Sequence, residues 1–171
     1  MKKIIALAAS VALAACCALG AAGCSGTSAN TNDAANTTAA STPSGETQTL
    51  GNVTVFVPEG YTLQPGTEGA ESDDEAWIYP ATSGDAIDYY WITRNAENAE
   101  ASIDVTKSLN EGAEDVTFTV GSTEWKGAAY EADGAPTAIV AATVNGTNYL
   151  VLLSNHELDA PETQAILGSL S

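Results

Sequence analysis

The chain has 171 residues, 44% of them apolar, with 22 Asp and Glu against 5 Lys and Arg and a formal charge of −17. That length accommodates one small domain with appendages, and it excludes a multi-domain enzyme or a polytopic membrane protein. Two of the five cations are Lys2 and Lys3, so the rest of the chain carries −19, and nucleic acid is excluded as a partner because phosphate binding needs clustered Lys and Arg.

Met1-Lys2-Lys3 is a short positive start, followed by the apolar run Ile4 to Leu19 and the small residues Gly20-Ala21-Ala22-Gly23. This is the layout of a secretory signal peptide. A membrane-spanning helix needs about 20 apolar residues and ends in a charge cluster rather than in small residues. Ala21-Ala22-Gly23-Cys24, followed by Ser25-Gly26, resembles the lipobox of bacterial lipoproteins. The resemblance implies cleavage before Cys24, a diacylglycerol on its sulfur, and a mature protein held on the extracytoplasmic side of the cell membrane through that lipid. Leu13-Ala14-Ala15-Cys16 is the alternative. It supplies the leucine that Ala21 replaces, but it leaves Cys17-Ala18-Leu19-Gly20 as an apolar mature start.

All three cysteines lie at or before Cys24, so the folded part is expected to hold no disulfide and no thiolate metal site. Residues 25–49 are Thr, Ala, Ser, Asn and Gly with scattered Pro43, Asp33, Glu46 and Gln48, and contain no aromatic or large aliphatic side chain. Such a segment cannot bury enough apolar surface to offset its ordering entropy. It reads as a flexible tether with a span of ~25–30 Å. The expected organisation is a signal peptide over 1–23, an anchored cysteine and tether over 24–49, and one globular domain over 50–171.

In that domain Val53, Val55 and Val57 alternate with polar or aromatic neighbours before Pro58-Glu59-Gly60, which predicts a strand entering a turn. The runs 76–79 and 87–93 flank a Pro/Gly-containing loop and predict a hairpin. Ala96, Ala99, Ile103, Thr106 and Leu109 recur at helical spacing, so a helix is expected between Asn95 and Gly112. Val116, Phe118 and Val120 form a strand that turns at Gly121-Ser122 and returns over 123–131. Asn145-Gly146 then joins strands over 137–144 and 147–154, a dipeptide whose backbone freedom suits a tight hairpin. Pairing across it sets Val144 against Thr147, Ala142 against Tyr149 and Val140 against Val151, with Ala141/Leu150 and Ile139/Leu152 on the other face. Both faces are apolar, which predicts central strands covered on two sides. Asp159 is expected to cap a last helix, with Glu162 three residues on and Ile166, Leu167 and Leu170 as its buried stripe.

The fold expected is therefore α+β, an antiparallel sheet of about six to seven strands covered by helices. The order of elements, with Val57-Pro58-Glu59-Gly60-Tyr61, the turn segment Gly121-Ser122-Thr123-Glu124-Trp125-Lys126-Gly127 and the final Ile166-Leu167-Gly168-Ser169-Leu170, resembles the Mog1/PsbP-like α/β/α sandwich, including small actinobacterial lipoproteins of that type. The resemblance departs at Tyr61, where many relatives have tryptophan. It implies a non-enzymatic interaction domain.

Chemistry is sparse. The one histidine, His156, has no cysteine and no Gly-x-Ser-x-Gly elbow to work with, so it reads as a loop residue. One His and no Cys cannot build a zinc site, and no metal or cofactor is expected. Glu68, Glu71, Asp73, Asp74 and Glu75 lack the spacing of a calcium loop and read as a solvated acidic stretch. Asn36, Asn52 and Asn145 begin glycosylation sequons that a bacterial lipobox reduces to chance matches. Trp77, Tyr79, Tyr89 and Trp91 share a face if their strands pair, with Tyr90 opposite. Core packing explains such aromatics by default, and a ligand face, if present, is expected around Tyr61, Trp77 and Tyr90 beside the Glu68–Glu75 loop. The functional expectation is a binding or assembly module of the cell envelope without catalysis, engaging an envelope protein or a cationic or neutral polymer. The alternative is an envelope enzyme with a carboxylate-based site.

Overall fold

The computed structural model describes residues 42–66, 73–82 and 88–171, all within a unit spanning Thr38–Ser171. The expected signal peptide, Cys16, Cys24, the expected tether up to residue 41 and the acidic residues Glu68 and Glu71 lie outside the described residues. Nine strands and two helices follow one another along the described chain: β1 (Gly45–Leu50), β2 (Val53–Pro58), β3 (Tyr61–Pro65), β4 (Glu75–Pro80), β5 (Tyr89–Arg94), α1 (Ala99–Leu109), β6 (Glu114–Val120), β7 (Thr123–Ala132), β8 (Ala135–Val144), β9 (Thr147–Ser154) and α2 (Pro161–Ser169).

Strands β3 to β9 form a seven-stranded antiparallel sheet in the order β3-β4-β5-β9-β8-β7-β6, which establishes the α+β class. Its centre is the β8–β9 hairpin. Asn145 and Gly146 both have positive φ, 51° and 84°, the twist-matched conformation of a two-residue turn. The register is the one that the apolar pattern specifies, with Val144 opposite Thr147, Val140 opposite Val151 and Ile139 opposite Leu152. β8 is held closely on β7 through Gly127, where a Cβ would stand 1.9 Å from the carbonyl oxygen of Ile139.

One face of the sheet, here the inner face, carries Ile78, Tyr90, Ile92, Trp125, Val140, Val151 and Leu153, all buried. Val53, Val55 and Val57 of β2 and Ile166 and Leu167 of α2 join them in one core, so a β-hairpin and a helix together cover this face. The other, outer face takes α1, which packs on β7 and β8. No residue of α1 is buried, and its Val105 and Leu109 stand 56% and 77% exposed, so it covers the outer face thinly.

Two expectations are corrected. The boundary at Leu50 is five residues late, because β1 pairs with β2 from Gly45↔Pro58 to Leu50↔Val53. Its side chains are polar and mostly exposed, so the strand is carried by backbone hydrogen bonds that composition does not register. Asp159 does not cap α2. Pro161 occupies the first helical position and Ala160 the cap, with no side-chain cap hydrogen bond. The ring of Pro161 presets the helical φ and has no N–H to satisfy, so it starts the helix without a capping side chain.

Candidate functional site

Two aromatic groups lie on opposite faces of the β3–β4–β5 part of the sheet. On the outer face Trp77 and Trp91 are register partners, and their rings stack 5.4 Å apart at 19°. Tyr89 adds a ring 4.9 Å from Trp77. All three are partly buried. The indole Nε1 atoms of Trp77 and Trp91 are shielded from solvent and have no hydrogen-bond partner among the described residues. Alternation along each strand produces this row, as the sequence pattern predicts, and Tyr90 points the other way.

On the inner face, where β3 starts and β9 ends, Tyr61, Tyr90 and His156 meet. The imidazole of His156 lies on the Tyr90 ring at 4.0 Å and 17°, and Tyr61 closes the group at 6.1 Å from His156 and 6.5 Å from Tyr90. Tyr90 is fully buried, its hydroxyl 3.0 Å from the Thr163 hydroxyl of α2. Burial raises the pKa of Tyr90 far above the ordinary phenol value. Nε2 of His156 approaches Asp88 Oδ1 at 2.6 Å without the alignment of a hydrogen bond, so the contact is a close electrostatic one. Burial lowers the pKa of His156, with Asp88 and Glu162 opposing the shift.

The structure therefore separates the three residues expected to share a ligand face. Tyr61 and Tyr90 are together on the inner side, with Tyr90 in the core, and Trp77 stands on the outer side. His156, read from sequence as an unremarkable loop residue, is 10% exposed and stacked on the Tyr90 ring. Neither periodicity nor spacing signals this, because Tyr61, Asp88 and Tyr90 reach it from distant segments of the chain. Of the acidic stretch, Asp74 has a structural task. Its carboxylate accepts hydrogen bonds from Asn52 at 3.0 Å, Asn95 at 3.1 Å and Arg94 at 3.4 Å, and these, led by Asn95, lower its pKa. Among the described residues no three His, Cys, Asp or Glu side chains are grouped to hold a metal ion.

Two hollows flank His156. A cavity of about 240 Å³ is lined by Pro43, Ser44, Pro58, Glu59, Tyr61, His156 and Glu162. A larger one of about 710 Å³ includes Glu114, Tyr130, Glu131, Pro136, Glu157 and Asp159 beside the same histidine.

No protein-family model matches the sequence, and no curated protein matches it. Among solved structures, one from Bacteroides thetaiotaomicron aligns over 70% of this chain and 44% of that chain, with 11% identity and a TM-score of 0.39. LpqN of Mycobacterium tuberculosis, a protein described as involved in cell envelope biogenesis, aligns over 64% of this chain and 70% of that one, with 15% identity and a TM-score of 0.32. The chain thus spans less than half of the Bacteroides protein. At these scores neither likeness assigns a family or a function.

Proposed function

We propose that the chain is a lipid-anchored, extracytoplasmic binding module of the cell envelope that works without catalysis and recognises its partner through Trp77, Trp91 and Tyr89. The observation that carries this reading is the stacked Trp77–Trp91 pair, only partly buried and set away from the strands on which α1 packs. Aromatic side chains supply large contact areas at small entropic cost. The anchor and its location rest on the resemblance of Ala21-Ala22-Gly23-Cys24 to a lipobox. The excess of carboxylates opposes anionic partners and favours an envelope protein or polymer that is neutral or cationic.

Capture from envelope extract by the full-length protein, repeated with Trp77→Ala and Trp91→Ala chains that retain cooperative thermal unfolding, tests the surface. Capture is expected to weaken about tenfold or more in both, as for truncation of a central aromatic anchor. Unchanged capture removes this face. Turnover of an envelope substrate that is abolished by a single Asp or Glu substitution replaces the reading with a carboxylate enzyme. For the anchor, mass spectrometry of the membrane fraction is expected to return an N-terminal peptide beginning at diacylated Cys24, and an intact peptide spanning Gly23-Cys24 overturns it.

A further inference from the structure

We propose that the free edge of β6 pairs antiparallel with the β6 of a second copy of this chain, centred on Thr117, so that two sheets join into one. A strand at a sheet edge presents unpaired N–H and C=O groups, and folded domains blunt such edges with short strands, proline, lysine, bulges or a covering segment. The two edges of this sheet differ in that respect. β3 has five residues, ends at Pro65 and lies against the β1–β2 hairpin. β6 has seven residues, pairs with β7 without a bulge from Glu114↔Ala129 to Val120↔Thr123, and has no strand on its other side among the described residues. Its segment Val116-Thr117-Phe118-Thr119-Val120 is β-branched or aromatic throughout, with no charge, proline or glycine, a composition that favours extended pairing. A hollow of about 390 Å³ lies along it, lined by residues 115–119 and by Leu158, Asp159 and Gln164.

The register follows from the turn. Gly121 has a φ of 61° and opens a two-residue loop, so Val120 and Thr123 flank it as a hydrogen-bonded pair. Such pairs alternate along an antiparallel ladder. Val116, Phe118 and Val120 therefore turn their backbone groups to β7, and Asp115, Thr117 and Thr119 turn theirs to the free edge. A second β6 centred on Thr117 meets this edge with the same groups. Thr117 of one copy opposes Thr117 of the other, and Asp115 opposes Thr119 in both halves, all as hydrogen-bonded pairs. On the inner face, where Phe118 is the register partner of Trp125, Val116 opposes Phe118, a β-branched and aromatic pairing that stabilises sheets. Glu114 falls opposite Val120, so no two carboxylates of β6 oppose each other, and Asp115 is also neutralised by Lys107. Parallel pairing in register would set Glu114 and Asp115 beside their own copies, a like-charge contact. This self-complementarity selects a second copy over an unrelated strand. The two-fold axis consumes both free edges, and with β3 protected the association stops at two copies.

The pairing is independent of the Trp77–Trp91 face, which lies on β4 and β5 towards the other edge of the sheet. The test is sedimentation equilibrium of the full-length protein in density-matched detergent, with cysteine cross-linking to read the register. A monomer–dimer equilibrium is expected, tightening as NaCl rises from about 0.01 to 0.15 M because each copy is acidic and salt screens the repulsion between them. Thr117→Pro removes an N–H that β7 does not use, and Thr117→Glu sets two carboxylates face to face across the two-fold axis from a position exposed in the single copy. Both are expected to weaken dimerisation at least about tenfold, and Thr62→Glu on β3 to leave it unchanged. Thr117→Cys is expected to form disulfide-linked dimers beyond the wild-type level, since the Cα atoms of a hydrogen-bonded pair stand about 5.5 Å apart. Ser108→Cys on α1 is expected to remain at that level. A monomer at every concentration and salt, or dimers that persist in a Thr117→Glu chain retaining cooperative thermal unfolding, would overturn the proposal. Cross-linking of Ser108→Cys equal to that of Thr117→Cys would overturn it as well.

Discussion

Burial holds His156 below its ordinary pKa even though Asp88 is 2.6 Å away, so the sign of its contribution to stability follows. The unfolded chain takes up the proton near pH 6.5, and the folded chain resists it. The corresponding stability is present above about pH 6.5 and is lost as the pH falls through the lower folded value, with a slope of at most about 1.4 kcal/mol per pH unit for one proton. Chemical denaturation of the wild type and of His156→Gln between about pH 7.5 and 5.5 is expected to show the steeper acid loss in the wild type. A wild type that gains stability on acidification relative to the variant would mean that the ion pair with Asp88 outweighs burial. At this scale the sequence was least informative. Tyr90 was legible as opposite Trp77, yet nothing in the sequence placed a loop histidine on its ring. The contact depends on where β5, β9 and α2 end relative to one another, and the side-chain pattern within each segment does not encode that.

At the level of elements, β9 lies at the middle of the seven strands, but its two faces are not equally covered. Val151 is fully buried on the inner face, under β2 and α2, whereas Leu152 is partly exposed on the outer face. Both Val151→Asp and Leu152→Asp place a carboxylate beside apolar side chains. The first has no route to water and is expected to unfold the domain, at a cost of several kcal/mol. The second is expected to cost roughly half as much, because its carboxylate can turn towards solvent between Trp91 and Ile139. Urea denaturation of both variants checks the ranking, and a Leu152→Asp loss equal to that of Val151→Asp would show that the outer face is as closed as the inner. The hairpins at Gly121-Ser122 and Asn145-Gly146 were readable because turn chemistry and alternation agree there. β1 and β3 were not readable. Gly45–Leu50 carries small polar side chains and Tyr61–Pro65 is a short edge strand, so both owe their conformation to the backbone hydrogen bonds of the neighbouring strand.

At the scale of the whole molecule, every Lys and Arg among the described residues is engaged. Arg94 meets Asp74 at 3.4 Å, Lys126 meets Glu124 at 2.8 Å, and Lys107 meets Asp115. The Lys126–Glu124 pair is largely exposed, and so is the carboxylate of Asp115. Pairs of this kind contribute about 0–1 kcal/mol each. Against them stands the mutual repulsion of the remaining carboxylates in a chain of net charge −17. Salt weakens both effects, but the repulsion acts between many charges over longer distances, where the Debye length falls from about 30 Å at 0.01 M to about 8 Å at 0.15 M. Repulsion is therefore the larger loss, and the melting temperature of the full-length protein is expected to rise by a few degrees as NaCl increases over that range, equivalent to about 1 kcal/mol. Sodium chloride is the salt to use, since sulfate would strengthen apolar burial on its own account. A melting temperature that falls with NaCl would show that the three ion pairs dominate. The same imbalance bears on recognition: with its Lys and Arg paired among the described residues, the folded part has little to offer a phosphate or carboxylate polymer.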